Sequence, residues 1–170
     1  NKLRSLGATH FISACNSISV SLTIEMLNEL GIDKNHWIDM VSATSNHFQN
    51  NKNKKVLAVA TQATINSEIY KNVFDNQYLG LALPLLAGQI ESGTEKLEIE
   101  NYIRGEINKF VHSEKININE LGYIFLGCTH YPLVIDTFKS IINNYNNEFP
   151  NIDIDIIDPA VYVARDVDLI

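Results

Sequence analysis

At 170 residues and 45% hydrophobic composition, the chain can bury a sizeable core as one domain or two small ones. A net charge of −7 argues against nucleic acid as a general partner, no apolar stretch approaches the ~20 residues that span a bilayer, and no signal peptide opens the sequence. The two cysteines, Cys15 and Cys128, make no disulfide framework and are read as free thiols of a cytoplasmic protein.

Asn1 to Leu6 reads as the tail of a helix capped by Gly7, leading into a strand at His10 to Ala14. Ser17 to Leu30 is a helix with Leu22, Met26, Leu27 and Leu30 on one stripe, stopped by Gly31. The basic run Lys52-Asn53-Lys54-Lys55, set among asparagines, is a solvated loop before a strand at Lys55 to Ala60. Ser67 to Asn76 places Ile69, Val73 and Phe74 together on a helix, and Leu79 to Leu83 is the next strand. Pro84 opens a short helix that Gly93 closes, and Glu95 to Phe110 is a longer charged helix. Tyr123 to Leu126 is a strand, Pro132 opens a helix over Tyr131 to Tyr145, and Asp153 to Ile157 is the last strand. Strands alternating with helices predict an α/β fold with largely parallel sheets. With no initiator Met, and with Val161 to Ile170 still running as an amphipathic segment where the sequence stops, the chain is expected to be a fragment.

Both cysteines occupy the same local setting. Cys15 ends the apolar run His10-Phe11-Ile12-Ser13-Ala14, Cys128 ends Tyr123-Ile124-Phe125-Leu126-Gly127, and a helical pattern follows each. Each thiol therefore lies at the carboxyl end of a strand facing a helix start, whose N–H groups favour thiolate over thiol. In open α/β sheets ligands bind beyond those strand ends. The polar clusters Cys15-Asn16-Ser17, Thr61-Gln62-Ala63-Thr64 and Cys128-Thr129-His130 all fall there and suit a small ligand carrying carboxylates. Only His130 stands near a cysteine, so a zinc site is not expected, and CxxC, GxGxxG and GxxxxGK[ST] are absent.

These residues carry a resemblance. Leu126-Gly127-Cys128-Thr129-His130-Tyr131-Pro132-Leu133 is similar to the second cysteine motif of glutamate racemases, and Ala14-Cys15-Asn16-Ser17 resembles the first. Ala60 to Tyr70 resembles the family's Gly-Thr-x-x-Thr-x-x-Ser-x-x-Tyr segment, and Pro84 to Gly93 its Pro-Leu-x-x-x-x-x-Glu-x-Gly segment. Ser17 stands where the family has Thr and Ala60 where it has Gly; its N-terminal Asp-Ser-Gly strand and later Pro-Tyr-Gly loop have no counterpart here.

The resemblance implies two pseudo-symmetric α/β domains with the active site between them: residues 1–38 and 150–170 as an incomplete first domain carrying Cys15, and 39–149 as the second carrying Cys128. It implies cofactor-independent racemisation of L- and D-glutamate, supplying D-glutamate for peptidoglycan and hence cell shape, without metal or membrane, by a homodimer when complete. Cys15, Cys128 and His130 are the expected catalytic residues, Asn16, Ser17, Thr61, Thr64, Thr129 and His130 contact substrate, and Glu91 orients His130. Aspartate or another acidic amino acid is the alternative substrate, and an inactive, truncated, non-enzymatic fragment the other alternative.

The chemistry of the residues agrees. Removing the Cα hydrogen and returning a proton from the opposite face needs one base and one acid flanking a nearly planar carbanion. Two thiols with ordinary pKa near ~8.5 suit this if a helix start depresses one. The sulfurs are expected to face each other across one cleft.

Overall fold

The computed structural model describes residues 2–21, 24–148 and 152–169. Helix α1 (Lys2–Ser5) ends at Gly7, whose φ of 89° is the left-handed cap expected there, and leads to strand β1 (Phe11–Ser13). The helix expected after Cys15 comes as α2 (Asn16–Ser21) and α3 (Ile24–Glu29), followed by Gly31 at φ 65°; Leu22 of its apolar stripe lies outside the described residues. A 3-10 turn at Lys34–His36 then delivers strand β2 (Trp37–Asp39) and helix α4 (Met40–His47), neither of which the sequence patterns announced. Asp39 builds the junction. Its Oδ1 accepts from the Val41 and Ser42 N–H groups at 2.9 and 3.0 Å, and its Oδ2 from the Ser42 hydroxyl at 2.8 Å, which caps α4 and satisfies a buried carboxylate.

Strand β3 (Lys55–Ala60) occupies the residues expected, but Thr61 starts a further helix, α5 (Gln62–Asn66). The helix expected over Ser67 to Asn76 is reduced to α6 (Lys71–Phe74) and a 3-10 turn at Asp75–Gln77. Glu68 and Asp75 take φ of 54° and 50°, and a left-handed residue interrupts a helical ladder. Next come β4 (Tyr78–Ala82), α7 (Leu86–Glu91), α8 (Lys96–Ser113), a 3-10 turn at Ile118–Glu120 and β5 (Leu121–Gly127). A 3-10 turn at Tyr131–Val134, with Pro132 in its first positions, runs into α9 (Ile135–Glu148), and the chain closes with β6 (Asp155–Ile157) and α10 (Ala160–Val167).

All pairings are parallel, in a two-stranded sheet β1-β2 and a four-stranded sheet of order β4-β3-β5-β6. The α/β architecture read from the sequence is therefore present. Strands β3 and β5 are buried almost throughout, because helices cover both faces of the larger sheet, and so read as unbroken apolar runs. Alternate residues divide between the faces. Leu57, Val59, Ile124 and Leu126 pack with Ile103 and Ile107 of α8 and with Phe138 and Ile141 of α9; Val56, Ala58 and Phe125 pack with Tyr70 and Phe74.

Residues 150–170 were expected with the Cys15 unit, yet β6 hydrogen-bonds to the open edge of β5, with Ile156 and Ile157 joining opposite faces of the larger sheet. The helix that follows it packs on α4: Val163 of α10 lies against Met40 and Ala43, and Asp166 meets His47 at 2.5 Å. No helix among the described residues is long and apolar enough to cross a membrane.

Candidate active site

The parallel strands end on one side, and the polar clusters read from the sequence follow them there. Gly127 sets the spacing. A Cβ on this residue would lie 3.0 Å from the Ala60 Cβ and 3.3 Å from the Val59 carbonyl, so only glycine lets β5 run this close to β3 before the chain delivers Cys128. Thr61, directly after β3, caps α5 by accepting the Thr64 N–H at 3.3 Å.

These clusters meet through hydroxyls. Ser17 Oγ, in the first turn of α2, lies 3.1 Å from both Thr61 Oγ1 and Thr64 Oγ1, which are themselves 3.0 Å apart. The ring of three ties the Cys15-Asn16-Ser17 segment to the end of β3. Beside it, Asn16 is buried and its Oδ1 accepts the Tyr70 hydroxyl. Neither the Asn16–Tyr70 bond nor the crowding at Gly127 was read from the sequence; each joins residues far apart in the chain, and no local pattern reports it.

Both cysteines are free thiols, Cys15 half-buried and Cys128 buried. Cys128 Sγ stands 3.7 Å from His130 Nδ1, and His130 Nε2 donates to Glu91 Oε1 at 2.7 Å. Because the carboxylate can only accept, Nε2 carries the proton and Nδ1 faces the thiol. Thr129 lies exposed between Cys128 and His130. The next residue braces the turn: Tyr131 is buried and donates its hydroxyl to the Leu83 carbonyl at 2.9 Å, fixing the Cys128 turn against the end of β4.

The helix start was expected to favour thiolate. At Cys128 the balance falls the other way: burial pushes the thiol pKa up from its ordinary 9.0, the charges of Cys15 and Glu91 add to this, and the backbone N–H groups of His130 and Tyr131 offset only part. Elsewhere, a cavity of about 440 Å³ lined by Trp37, Asp39, Ser42 and Asp166 includes neither thiol, and its carboxylates are occupied by the α4 cap and by His47. No three His, Cys, Asp or Glu side chains gather into a metal-binding group among the described residues.

The sequence is 31% identical over 171 residues to the glutamate racemase of Carboxydothermus hydrogenoformans, a match covering 95% of this chain and 56% of that protein. It is also 31% identical over 118 residues to a glutamate racemase of Clostridium perfringens, covering 66% and 40%. This chain is a relative of the glutamate racemases. It spans about half the length of the curated racemases it matches, from 40% to 59% among those with the strongest similarity. The fold agrees with the racemase fold: a crystal structure of the Francisella tularensis glutamate racemase in complex with D-glutamate superposes with a TM-score of 0.73 at 23% identity, covering 98% of this chain and 58% of that one. The Picrophilus torridus aspartate racemase superposes with a TM-score of 0.60 at 18% identity, covering 99% and 64%. No protein-family model matches the sequence.

Proposed function

We propose that this chain carries the acid/base thiols of a glutamate racemase, Cys15 and Cys128, which exchange the Cα proton of the substrate from opposite faces. The observation that carries this reading is the hydroxyl ring by which Ser17, two residues after Cys15, joins Thr61 and Thr64 at the end of β3, the strand paired with the one that delivers Cys128. One thiolate removes Cα–H while the other thiol delivers its proton, and the roles reverse in the opposite direction. Burial raises the Cys128 thiol pKa and so favours its protonated form. His130, held by Glu91 with Nδ1 toward Sγ, orients that thiol and relays its proton. Asn16, Ser17, Thr61, Thr64 and Thr129 supply donors for the carboxylates, where charge builds as Cα loses its proton. We assign Cys15 and Cys128 to separate α/β units enclosing this site. The product, D-glutamate, serves peptidoglycan synthesis in the cytoplasm.

The test is exchange of the glutamate Cα hydrogen with deuterated solvent, alongside optical-rotation or coupled assays of racemisation. The protein should exchange and racemise, and Cys15→Ser and Cys128→Ser should each lose about 10²- to 10⁴-fold. Turnover of aspartate in preference to glutamate would reassign the substrate within the same chemistry. No exchange with either amino acid, or undiminished racemisation by either variant, would overturn the two-thiol reading.

A further inference from the structure

Tyr70 is 1% exposed, with its ring packed against Phe74 and Phe125 at centroid distances of 5.9 and 4.6 Å on the larger sheet. Its hydroxyl leaves that apolar setting and donates to Oδ1 of Asn16, the residue after Cys15. Asn16 is itself 3% exposed, and its Nδ2 has no hydrogen-bond partner among the described residues. A buried donor left unmatched is destabilising, because it has given up its hydrogen bond to water and gained none in return. The Tyr70 hydroxyl, which also hydrogen-bonds Thr44, gives its proton to Oδ1, so the amide is held with Nδ2 turned away from the phenol. Burial pushes the Tyr70 phenol pKa far above its ordinary value, which keeps that proton in place across the physiological range.

We infer that Tyr70 is a positioning residue that locks the Asn16 amide with Nδ2 presented as a donor for a carboxylate oxygen of the substrate; this rests on the racemase reading of the site. The unmatched atom decides the class of group it receives: an amide nitrogen donates only, so its partner is an acceptor and not the substrate ammonium. Such a bond strengthens as the carboxylate gains charge in the transition state, so it acts on turnover as well as on binding.

The experiment compares the wild-type protein with Tyr70→Phe, Asn16→Ala, the double variant and Asn16→Asp. Tyr70→Phe keeps the ring and removes the proton. It should lose about tenfold in kcat/KM for glutamate, the worth of one hydrogen bond, with kcat falling as well as KM rising. Asn16→Ala should lose at least as much, and the double variant should stay within about twofold of Asn16→Ala, because the Tyr70 hydroxyl reaches the substrate through that amide and not through its other partner, Thr44. Asn16→Asp retains the acceptor for Tyr70 but not the donor, and should lose at least as much as Tyr70→Phe; it decides the case should Tyr70→Phe fail to fold. Independently of turnover, the Asn16 side-chain amide signals in nitrogen–proton correlation spectra should shift and broaden in Tyr70→Phe while those of the β3 and β5 backbone stay. Additive losses in the double variant, unchanged Asn16 amide signals, or full activity of Asn16→Asp would overturn the inference. Absence of Cα exchange in the wild-type protein would instead remove the racemase reading, and the amide signals would still decide whether Tyr70 fixes Asn16.

Discussion

At the residue scale the informative group is the Cys128 thiol. Burial, the first cause, raises its pKa above that of an ordinary thiol, so iodoacetamide should alkylate Cys128 slowly at pH 7 and faster in alkaline solution, followed by peptide mass spectrometry. Rapid alkylation at neutral pH would show that the backbone N–H groups outweigh burial. Glu91 and His130 are more exposed, and a solvent-exposed contact between such side chains is worth at most about 1 kcal/mol. Glu91→Gln should therefore cost racemisation less than about fivefold, whereas His130→Ala, which removes the imidazole beside the sulfur, should cost about 10²-fold or more in steady-state assays. The identities of these groups were legible in the sequence: Cys128, His130 and Glu91 fall within recognisable runs. The direction of the thiol shift was not, since a strand-end cysteine gains N–H donors and loses solvent together, and only the fold decides which dominates.

At the scale of elements, Gly127 determines how closely β5 approaches β3. Gly127→Ala forces a methyl group against Ala60 Cβ at 3.0 Å and the Val59 carbonyl at 3.3 Å, and should destabilise the protein by about 1–3 kcal/mol in urea titration, with activity lost in step through displacement of Cys128. A neutral substitution would mean that the strands separate without strain. Strand β3 was read to its ends because its apolar residues run unbroken between lysines and Thr61. Strand β2 and helix α4 were missed for a different reason. Trp37–Asp39 is only 3 residues long, and the eight residues of α4 carry just three buried positions, Met40, Ala43 and Thr44, too few to mark a period. The signal that was present is Asp39 placed before them as a cap. Helix α5 was hidden likewise by Thr61, read as a ligand cluster although it also caps.

For the molecule as a whole, three buried acids titrate abnormally in the same direction. Burial pushes Tyr70 and Tyr131 far above their ordinary 10.0, and Cys128 above 9.0. The folded chain therefore keeps protons that the unfolded chain releases at high pH. Their stabilisation is complete below about pH 9 and is lost as the pH climbs toward the folded values, with a slope of at most about 1.4 kcal/mol per pH unit for each tyrosine. The melting temperature should be level from pH 7 to 9 and fall steadily from pH 9.5 to 11. Tyr131→Phe should lower stability near neutrality, by removing one of the two donors to the Leu83 carbonyl, yet flatten the alkaline decline. A melting temperature that holds steady to pH 11 would mean that these phenols ionise without unfolding.

The triangle of Ser17, Thr61 and Thr64 hydroxyls has a further consequence at this scale. When each O–H points to the next oxygen, the protons can circulate in either sense with the same heavy-atom positions, so the arrangement is degenerate and amphoteric. Closed, it holds each hydroxyl proton within the ring, while Thr61 Oγ1 also accepts the Thr64 N–H. With one hydroxyl turned out, it becomes an open chain that donates to a carboxylate, at the cost of one link worth about 1 kcal/mol. The same three atoms thus switch between a self-contained ring and a hydrogen-bond donor without rebuilding the backbone around them.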